Sequence, residues 1–539
     1  MALPSADYRE RRASLWSGGG ALETAGIIGT VALTGLLVFL VGSNAHQAVM
    51  FVFMLWIALL GVINPILLLG LFIVQVPLLP RWEPFLAVRV PDWLTPVALT
   101  VTASALARAL ALRRRDVLRP RLIDVLVVAF IAAVFLSIAP DDSAAATQKH
   151  AFRSILVPAL FYFAVRWLAP DRRTVMALLG ALCLATVGMA LMVLIQAPMK
   201  ADLLYGGSAL QGEEGSYYQP GAAVGGPAFV GAFLAAVLPL YLFFGWLAGR
   251  RNGADSSSPS PARWAMMVSG PAAVCALLGI ALCLERAAWL SGAVVLLFCV
   301  GVRQLRPRAL VLLAAAALAP LALWALSGDT WLRGRALETR NLEDRSRMRR
   351  AAIALLRSDE WKPALGIGLG QFQKIGYYYF PPRSGFEDRP LEKEIGRPIH
   401  NDYLTVLVET GIVGAASFYG LVLAIIFQFA KLLWPGRRRA APWVGKPGDY
   451  AAIQRRPPDS GPGATAPIQP LPLTDPPQNG HSSVDKVLAA ALFAGVLPVL
   501  VMAAAHNTLA KGQLLAIFWT FVALGVTLDA WRDRRAVAK

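Results

Sequence analysis

Basic side chains stand in this sequence at the ends of apolar runs, where water is scarce. Arg286 is the clearest case, since the segment L-E-R-A-A-W-L at residues 284–290 leaves almost no loop to solvate a guanidinium. Arginine holds its charge in any environment and clamps phosphate through two parallel hydrogen bonds. A group of them predicts a site for a phosphorylated lipid headgroup, although Arg286 alone could pair with Glu285 or anchor a helix end. The candidate residues are Arg153, Arg286, Arg345 and Arg349, with Lys149 in a supporting position.

A histidine opens the segment H-N-D-Y-L-T-V-L-V-E-T-G, directly before an apolar run. This is His400, and Asn401 or Asp402 stands where a helix N-cap is expected. A helix N-terminus and nearby arginines disfavour a protonated ring, so His400 is predicted to act as a general base, with a capping or packing histidine as the alternative. His506 begins a second H-N pair, with either a structural role or a substrate contact. Glu409 lies two turns into the apolar run and needs a partner, which could be an arginine that it orients.

The remaining motifs point to no bound group. G-I-G-L-G at residues 366–370 resembles a phosphate-cradling loop only superficially, because no strand precedes it and no G-K-[ST] follows. A turn whose backbone approaches the substrate is favoured instead. The acidic pairs at 141–142 and 213–214 lack D-x-D spacing, and the four cysteines lie in apolar runs without C-x-x-C spacing. We therefore expect a reaction without metal or cofactor.

The elements that position these residues are membrane helices. The chain has 539 residues, of which 56% are hydrophobic and 16% charged, and this is too apolar for one or two soluble domains. The net charge of +18 then indicates basic cytoplasmic loops rather than nucleic-acid binding. The apolar runs predict an all-α polytopic protein with about fourteen transmembrane helices. The expected spans are Ala25–Gly42, Gln47–Ile63, Ile66–Leu79, Leu94–Leu112, Leu122–Ala139, Ile155–Leu168, Val175–Ile195, Val224–Leu247, Met266–Leu284, Ala287–Val302, Leu310–Leu326, Tyr403–Ala430, Val487–Ala505 and Leu514–Ala530.

The distribution of basic residues predicts the orientation of these spans. With the basic N-terminus inside, alternation places six further basic clusters in the cytoplasm, together with both termini. Residues 140–154, 197–221 and 327–401 then face outward. The stretch Pro435–Lys486 is rich in proline, glycine and serine, and its lack of apolar periodicity predicts a disordered cytoplasmic insert.

The long outer segment is expected to contain an amphipathic helix at Glu343–Asp359. Arg345 and Arg349 are four residues apart on one face. The opposite face carries Met348, Ala352, Leu355 and Leu356. Such a helix would lie on the outer leaflet, unless it is a surface helix with a solvated basic face.

Four segments together resemble the bacterial O-antigen ligases and Wzy-type polysaccharide polymerases. They are E-R-A-A-W-L around Arg286, where the family tends to have S-R; D-R-S-R-M followed by A-A-I-A-L-L; P-A-L-G-I-G-L-G-Q-F at Pro363–Phe372; and H-N-D-Y-L with E-T-G-I-V-G at His400–Gly414. The resemblance covers roughly Val224–Ala430. It implies a membrane-embedded glycosyltransferase fold similar to the GT-C class, an undecaprenyl-diphosphate-linked glycan donor and no metal requirement.

Carried onto this chain, the resemblance assigns roles to individual residues. Arg153, Arg286 and Arg345 would bind and neutralise the diphosphate, with Arg347 as an alternative to Arg345, and His400 would deprotonate the acceptor hydroxyl. Direct displacement would invert the anomeric centre. The domains expected are a cytoplasmic tail at 1–24, a transmembrane bundle at 25–326, a periplasmic catalytic loop at 327–401, a transmembrane helix at 402–430, the insert at 431–486, a transmembrane hairpin at 487–530 and a cytoplasmic tail at 531–539.

The expected enzyme is a bacterial inner-membrane glycosyltransferase with its active site facing the periplasm. Polymerisation of surface or exopolysaccharide repeat units is favoured, because the span number and the insert exceed what is usual in ligases. The alternatives are an O-antigen ligase acting on lipid A core, an anion or bicarbonate transporter, and a scaffold whose insert docks cytoplasmic partners. Charges gathered at the outer interface rather than at the bilayer midplane argue against transport. Expected partners are the donor lipid, membrane lipids, and a flippase and chain-length regulator of the same pathway, but not nucleic acid.

Overall fold

The computed structural model describes residues 45–78, 94–112, 114–140, 144–168, 170–199, 226–250, 261–327, 340–380, 396, 398–434, 479–506, 508 and 512–537. Every regular element in these ranges is a helix. The α-helices are α1 (Ala45–Ile63), α2 (Pro65–Leu78), α3 (Leu94–Ala111), α4 (Arg115–Leu118), α5 (Leu122–Leu136), α6 (Ala144–Ala151), α7 (Val157–Leu168), α8 (Arg172–Met199), α9 (Pro227–Arg250), α10 (Pro261–Leu282), α11 (Arg286–Gly301), α12 (Arg306–Ser327), α13 (Arg340–Leu356), α14 (Phe372–Ile375), α15 (Asp402–Leu433), α16 (Asn479–Ala503) and α17 (Gly512–Val537). A π-helical turn at Phe152–Leu156 joins α6 to α7, and a 3₁₀ turn at Gly376–Tyr379 follows α14.

Eight helices in the described part of the chain are long and apolar enough to cross a membrane. They are Leu94–Ala111, Ala144–Leu168, Arg172–Ala197, Pro227–Arg250, Trp264–Leu282, Asp402–Leu433, Ser483–Ala503 and Leu514–Trp531. Shorter apolar helices occupy Met54–Ile63, Pro65–Val76, Leu122–Leu136 and Arg286–Gly301. A multi-pass helical membrane protein is therefore confirmed. Fourteen crossings remain a prediction, since the first expected span, Ala25–Gly42, lies outside the described residues.

The helix α9 forms the centre of the bundle. It is apolar on all sides, and 89% of its apolar stretch is buried, as expected for a helix enclosed by others. The helices α10, α11 and α16 pack against it. Small residues permit the close approach: a Cβ on Gly495 of α16 would lie 2.7 Å from the backbone oxygen of Ala236. Close backbone contact of this kind is typical of helix pairs in membranes.

A π-helical turn interrupts the helix that carries the first basic residues of the predicted site. Pro158 follows this turn, and a proline ring clashes with the carbonyl four residues earlier, here that of Ser154. Widening the helix at Phe152–Leu156 relieves this clash. Arg153 lies within the widened turn, and π-turns occur frequently at functional sites.

The amphipathic helix expected in the long outer segment is present as α13, but its apolar face packs against protein rather than on a lipid leaflet. Met348, Ala351, Ala352 and Leu355 are all buried. Ala351, Ala352 and Leu355 form one buried cluster with Phe372, Ile399 and Val408. The expectation of a helix resting on the outer leaflet is thus wrong, because the chain supplies its own apolar cover from α14, α15 and the segment before α15.

Helices extend into two segments where none was expected. α15 continues to Leu433 and α16 begins at Asn479, so both ends of the expected insert at 431–486 are helical, while residues 435–478 lie outside the described part. α17 likewise continues to Val537, through most of the expected C-terminal tail. The expected N-terminal tail at 1–24 also lies outside the described residues.

Candidate active site

His400 lies at the entrance to α15 in a backbone conformation that few residues adopt. Its φ is +55°, in the left-handed region where non-glycine residues are uncommon, although histidine is enriched among those that occur. Asn401 follows as the N-cap, and its Oδ1 accepts the N–H of Leu404 at 3.0 Å. Residues held in sparsely populated conformations concentrate at functional sites. The strain therefore favours a functional role for His400.

A second histidine lies beside the first. The rings of His400 and His506 are nearly perpendicular, at 87°, with centroids 6.3 Å apart. His506, which follows α16, is only 8% exposed, and its Nε2 lies 3.0 Å from Oε1 of Glu285. An ionised Glu285 accepts a hydrogen bond from Nε2, and this contact orients the ring of His506.

Two arginines of α13 reach the same place. Nη2 of Arg345 lies 3.6 Å from Oε1 of Glu285 and 3.5 Å from Nε2 of His506. One turn later, Nη2 of Arg349 donates to the carbonyl of Ala504 at 3.2 Å. The four-residue spacing on α13 thus directs both guanidiniums toward the turn that carries His506.

Asp402 fixes this turn relative to the start of α15. The buried carboxylate accepts the backbone N–H of Thr508 through Oδ2 at 2.7 Å, and also the Thr508 hydroxyl. Its position in the first turn of α15 is favourable, because the helix dipole stabilises negative charge there. Since Thr508 lies two residues after His506, this contact sets the position of His506 relative to His400.

The other predicted basic residues occupy three further elements. Arg286 is half-buried at the first position of α11, directly after Glu285, so it lies next to the cluster along the chain. Lys149 and Arg153 are exposed on α6 and on the π-helical turn. The structure thus brings His400, His506, Arg345 and Arg349 together around one turn, whereas Lys149 and Arg153 lie on α6 and on the turn that follows it.

Glu409 binds the glycine-rich loop. Its Oε2 accepts the N–H of Gly370 at 2.9 Å, and its backbone oxygen accepts the N–H of Gly368 at 3.0 Å. The loop docks where α15 is interrupted, at Gly411, which has a φ of +65° and a ψ of −165°. Beyond the break, the N–H of Ile412 donates to the carbonyl of Pro363 at 2.7 Å. The sequence suggests that Glu409 could orient an arginine, whereas its hydrogen bonds in the structure hold the glycine-rich loop to α15.

Sequence reasoning did not select the two carboxylates that organise the cluster. The sequence indicates Glu285 only as a possible partner for Arg286, and it indicates Asp402 only as a possible helix N-cap. A signal was present for each, since an acid in a nearly loopless turn and an acid directly after H-N must both find partners when buried. Neither signal identifies the partner.

Within the described ranges, no group of three or more histidine, cysteine, aspartate or glutamate side chains is placed to hold a metal ion. The acidic pairs at 141–142 and 213–214 lie outside those ranges.

Comparison with known proteins identifies one family. Residues 271–419 match the family model described as O-antigen ligase, which confirms over this segment the resemblance seen in the sequence. The match includes Glu285, Arg286, α13, His400 and Glu409, whereas Lys149, Arg153 and His506 lie outside it. No curated protein matches the chain.

Proposed function

We propose that this protein is an inner-membrane glycosyltransferase that transfers glycan from an undecaprenyl-diphosphate-linked donor to an acceptor hydroxyl on the periplasmic side. The family match supports the coarser statement, an enzyme of membrane glycan ligation or polymerisation acting on lipid-linked glycans. The observation that carries the proposal is the convergence of His400, Arg345 and Arg349 on one turn. A base beside cations is the arrangement required to activate a hydroxyl while a diphosphate departs.

The proposed reaction is a direct displacement at the anomeric carbon. The acceptor oxygen forms the new bond to this carbon as the bond to the diphosphate oxygen breaks, and the electron pair leaves with the diphosphate. His400 takes the acceptor proton, which contributes roughly 10² to 10⁴ in rate. Arg286, Arg345 and Arg349 stabilise the charge that builds on the leaving group. Arg153 and Lys149 are proposed to contact another part of the lipid-linked donor. Displacement from the opposite face inverts the anomeric centre, and the scheme requires no metal.

Glu285 and His506 position the cationic side of this site. A guanidinium that must meet a diphosphate in one geometry gains from being held in place before the substrate arrives. The 3.6 Å ion pair with Glu285 restrains Arg345, and the His506 ring lies between Arg345 and His400. In this scheme neither Glu285 nor His506 touches the reacting atoms.

Polymerisation of surface or exopolysaccharide repeat units is our preferred form of the reaction, with ligation to lipid A core as the alternative. The preference rests on the expected number of spans and on the insert between α15 and α16. A flippase and a chain-length regulator of the same pathway are the proposed partners.

The test of catalysis is His400→Ala in a strain deleted for the native gene. We expect lipid-linked donor to accumulate and polymer to disappear, because the acceptor hydroxyl loses its base. His481→Ala is the matched control, since that histidine is expected on the cytoplasmic side. Normal polymer in the His400→Ala strain, with protein present at the wild-type level, would refute the proposal.

The test of diphosphate binding is Arg286→Lys, which keeps the charge but removes the bidentate geometry. We expect donor turnover to fall roughly 10- to 100-fold, the equivalent of about one charge-assisted hydrogen bond. Arg303→Lys, at an exposed arginine expected in the cytoplasm, should change turnover little. Equal turnover in the two variants would remove Arg286 from the site.

A further inference from the structure

A cavity of about 430 Å³ lies beside the first two turns of α15. Its walls come from α5, α6, the glycine-rich loop and the start of α15. The volume is within the range of about 300–1,000 Å³ that is typical of small-molecule sites. The cavity is separate from the arginine cluster, whose residues Glu285, Arg345 and His506 do not line it.

The lining combines an apolar wall with hydrogen-bonding groups. Phe130, Val134 and Leu369 contribute apolar surface, and Gln373 and Thr147 contribute polar groups. A saccharide ring presents C–H groups on its faces and hydroxyls at its edge, so it requires both kinds of wall. An amide such as that of Gln373 both donates to and accepts from hydroxyls.

Two carboxylates in the lining decide which part of a substrate fits. Asp402 and Glu409 both line the cavity, and each accepts a backbone N–H, from Thr508 and Gly370 respectively. A carboxyl group forms hydrogen bonds with hydroxyls in either protonation state. The negative charge of Asp402 at the start of α15 opposes a diphosphate, even with Lys374 and His150 in the same lining. The cavity therefore suits a hydroxyl-bearing sugar rather than the anionic end of the donor.

The cavity lies beside the chain segment that contains His400. Ile399 directly precedes His400 and Asp402 follows it by two residues, and both line the cavity. Oδ2 of Asp402 accepts a hydrogen bond from the N–H of Thr508, which lies in the same turn as His506. A sugar in the cavity would thus lie on one side of the His400 segment, with the arginines on the other.

We infer that this cavity is the subsite for the acceptor saccharide, which it holds by its hydroxyls beside His400. This inference rests on the proposed function. It assigns the two substrates to two surfaces: the donor diphosphate to the arginines and the acceptor sugar to the cavity between α5, α6 and the glycine-rich loop.

The experiment fills the cavity from α6 in the full-length protein, reconstituted in lipid nanodiscs. Ala146 is exposed and lines the cavity, whereas its neighbour Ala145 is exposed but does not, so Ala146→Trp and Ala145→Trp form a matched pair. The probes are undecaprenyl diphosphate and the delipidated repeat-unit oligosaccharide from a polymer-deficient strain of the source organism. Oligosaccharide binding is measured with undecaprenyl diphosphate at saturation.

We expect Ala146→Trp to weaken oligosaccharide binding at least about tenfold while its affinity for undecaprenyl diphosphate changes less than about twofold. Ala145→Trp should match the wild type for both probes. Gln373→Ala is a second, milder variant that removes only an exposed amide, and a several-fold loss confined to the oligosaccharide is expected.

The outcomes separate the two proposals. If the wild type binds undecaprenyl diphosphate but binds the oligosaccharide no better than Ala146→Trp and Gln373→Ala do, the acceptor subsite is wrong and the proposed function stands. If the wild type binds neither probe, the proposed function itself fails, and the subsite fails with it. Loss of both probes in Ala146→Trp, with Gln373→Ala unchanged for both, would also overturn the subsite.

Discussion

Replacing Glu285 by glutamine tests whether the buried carboxylate positions the cationic side of the site. Glutamine keeps the size of the side chain but removes its charge. In the wild type, one carboxylate oxygen serves both the His506 ring at 3.0 Å and the Arg345 guanidinium at 3.6 Å. Glu285 is 6% exposed, so water cannot substitute for the lost interaction.

The magnitude follows from the change in hydrogen-bond type. A hydrogen bond to a charged group contributes about 1.5–3 kcal/mol, and a neutral one about 0.5–1.5 kcal/mol. Glu285→Gln should therefore lose about 1–2 kcal/mol of positioning energy. If the transition state loses this stabilisation in full, kcat/KM for the lipid-linked donor falls roughly 5- to 30-fold. Part of the loss should appear in kcat, because Arg345 meets the developing charge only when it is correctly oriented.

The assay measures donor turnover and thermal unfolding for Glu285→Gln, His506→Ala and the double variant. If Glu285 acts through His506 and Arg345, the effects of the two single changes on kcat/KM will not add in the double variant. Glu360→Gln, at an exposed acid shortly after α13, is the control for charge alone. The reasoning is refuted if Glu285→Gln and Glu360→Gln have equal kcat/KM, or if the effects of Glu285→Gln and His506→Ala are additive.

Two further predictions concern stability, measured by thermal unfolding in detergent. Gly411→Ala should destabilise the protein by at least about 1–3 kcal/mol. The φ of Gly411 is +65°, and an added Cβ would lie 2.5 Å from the backbone oxygen of Ala364. An unchanged melting temperature would show that the break in α15 relaxes freely. Asp124→Ala should lower the free energy of unfolding by about 3–5 kcal/mol. The change leaves the buried Arg166, which lies 2.5 Å from that carboxylate in the wild type, without its counter-charge. Tyr162→Phe removes only a 2.7 Å hydrogen bond to Asp124 and should lower the free energy of unfolding by about 1 kcal/mol. An equal loss of stability in Asp124→Ala and Tyr162→Phe would contradict the role of charge.

The positions of the helices could be predicted from the sequence because a bilayer requires long apolar runs. In the described part of the chain, a helix occupies each expected span from Gln47–Ile63 onward. The helix ends were less predictable, as the extensions of α15, α16 and α17 show. Polar residues such as those at the start of α16 can continue a helix outside the apolar layer, and hydropathy carries no signal for where they stop.

The amphipathic pattern of α13 predicted a buried face but not what covers it. Met348 and Leu355 would occupy the same face whether that face met lipid or protein. The actual neighbours of Leu355 are Phe372, Ile399 and Val408, which come from segments that local periodicity cannot bring together. The same limit applies to Glu285, whose partner His506 is 221 residues away in the chain. Local patterns identify residues that need a partner, and only the packing of helices selects the partner.

The glycine-rich loop provides hydrogen-bond partners to the backbone groups at a break in a membrane helix. The same hydrogen bonds argue against a phosphate-binding role for the loop. Interrupting α15 at Gly411 leaves backbone groups without helical partners, and in a membrane each unsatisfied group is costly. The loop supplies those partners: the N–H of Ile367 donates to the carbonyl of Val408 at 3.0 Å, and that of Gly368 donates to the carbonyl of Glu409 at 3.0 Å. A loop that cradles phosphate must present its N–H groups to the ligand, whereas these are directed at α15. The loop is therefore not assigned to the diphosphate, which the proposed function gives to the guanidiniums. Its hydrogen bonds fix the first two turns of α15, which follow His400 in the chain.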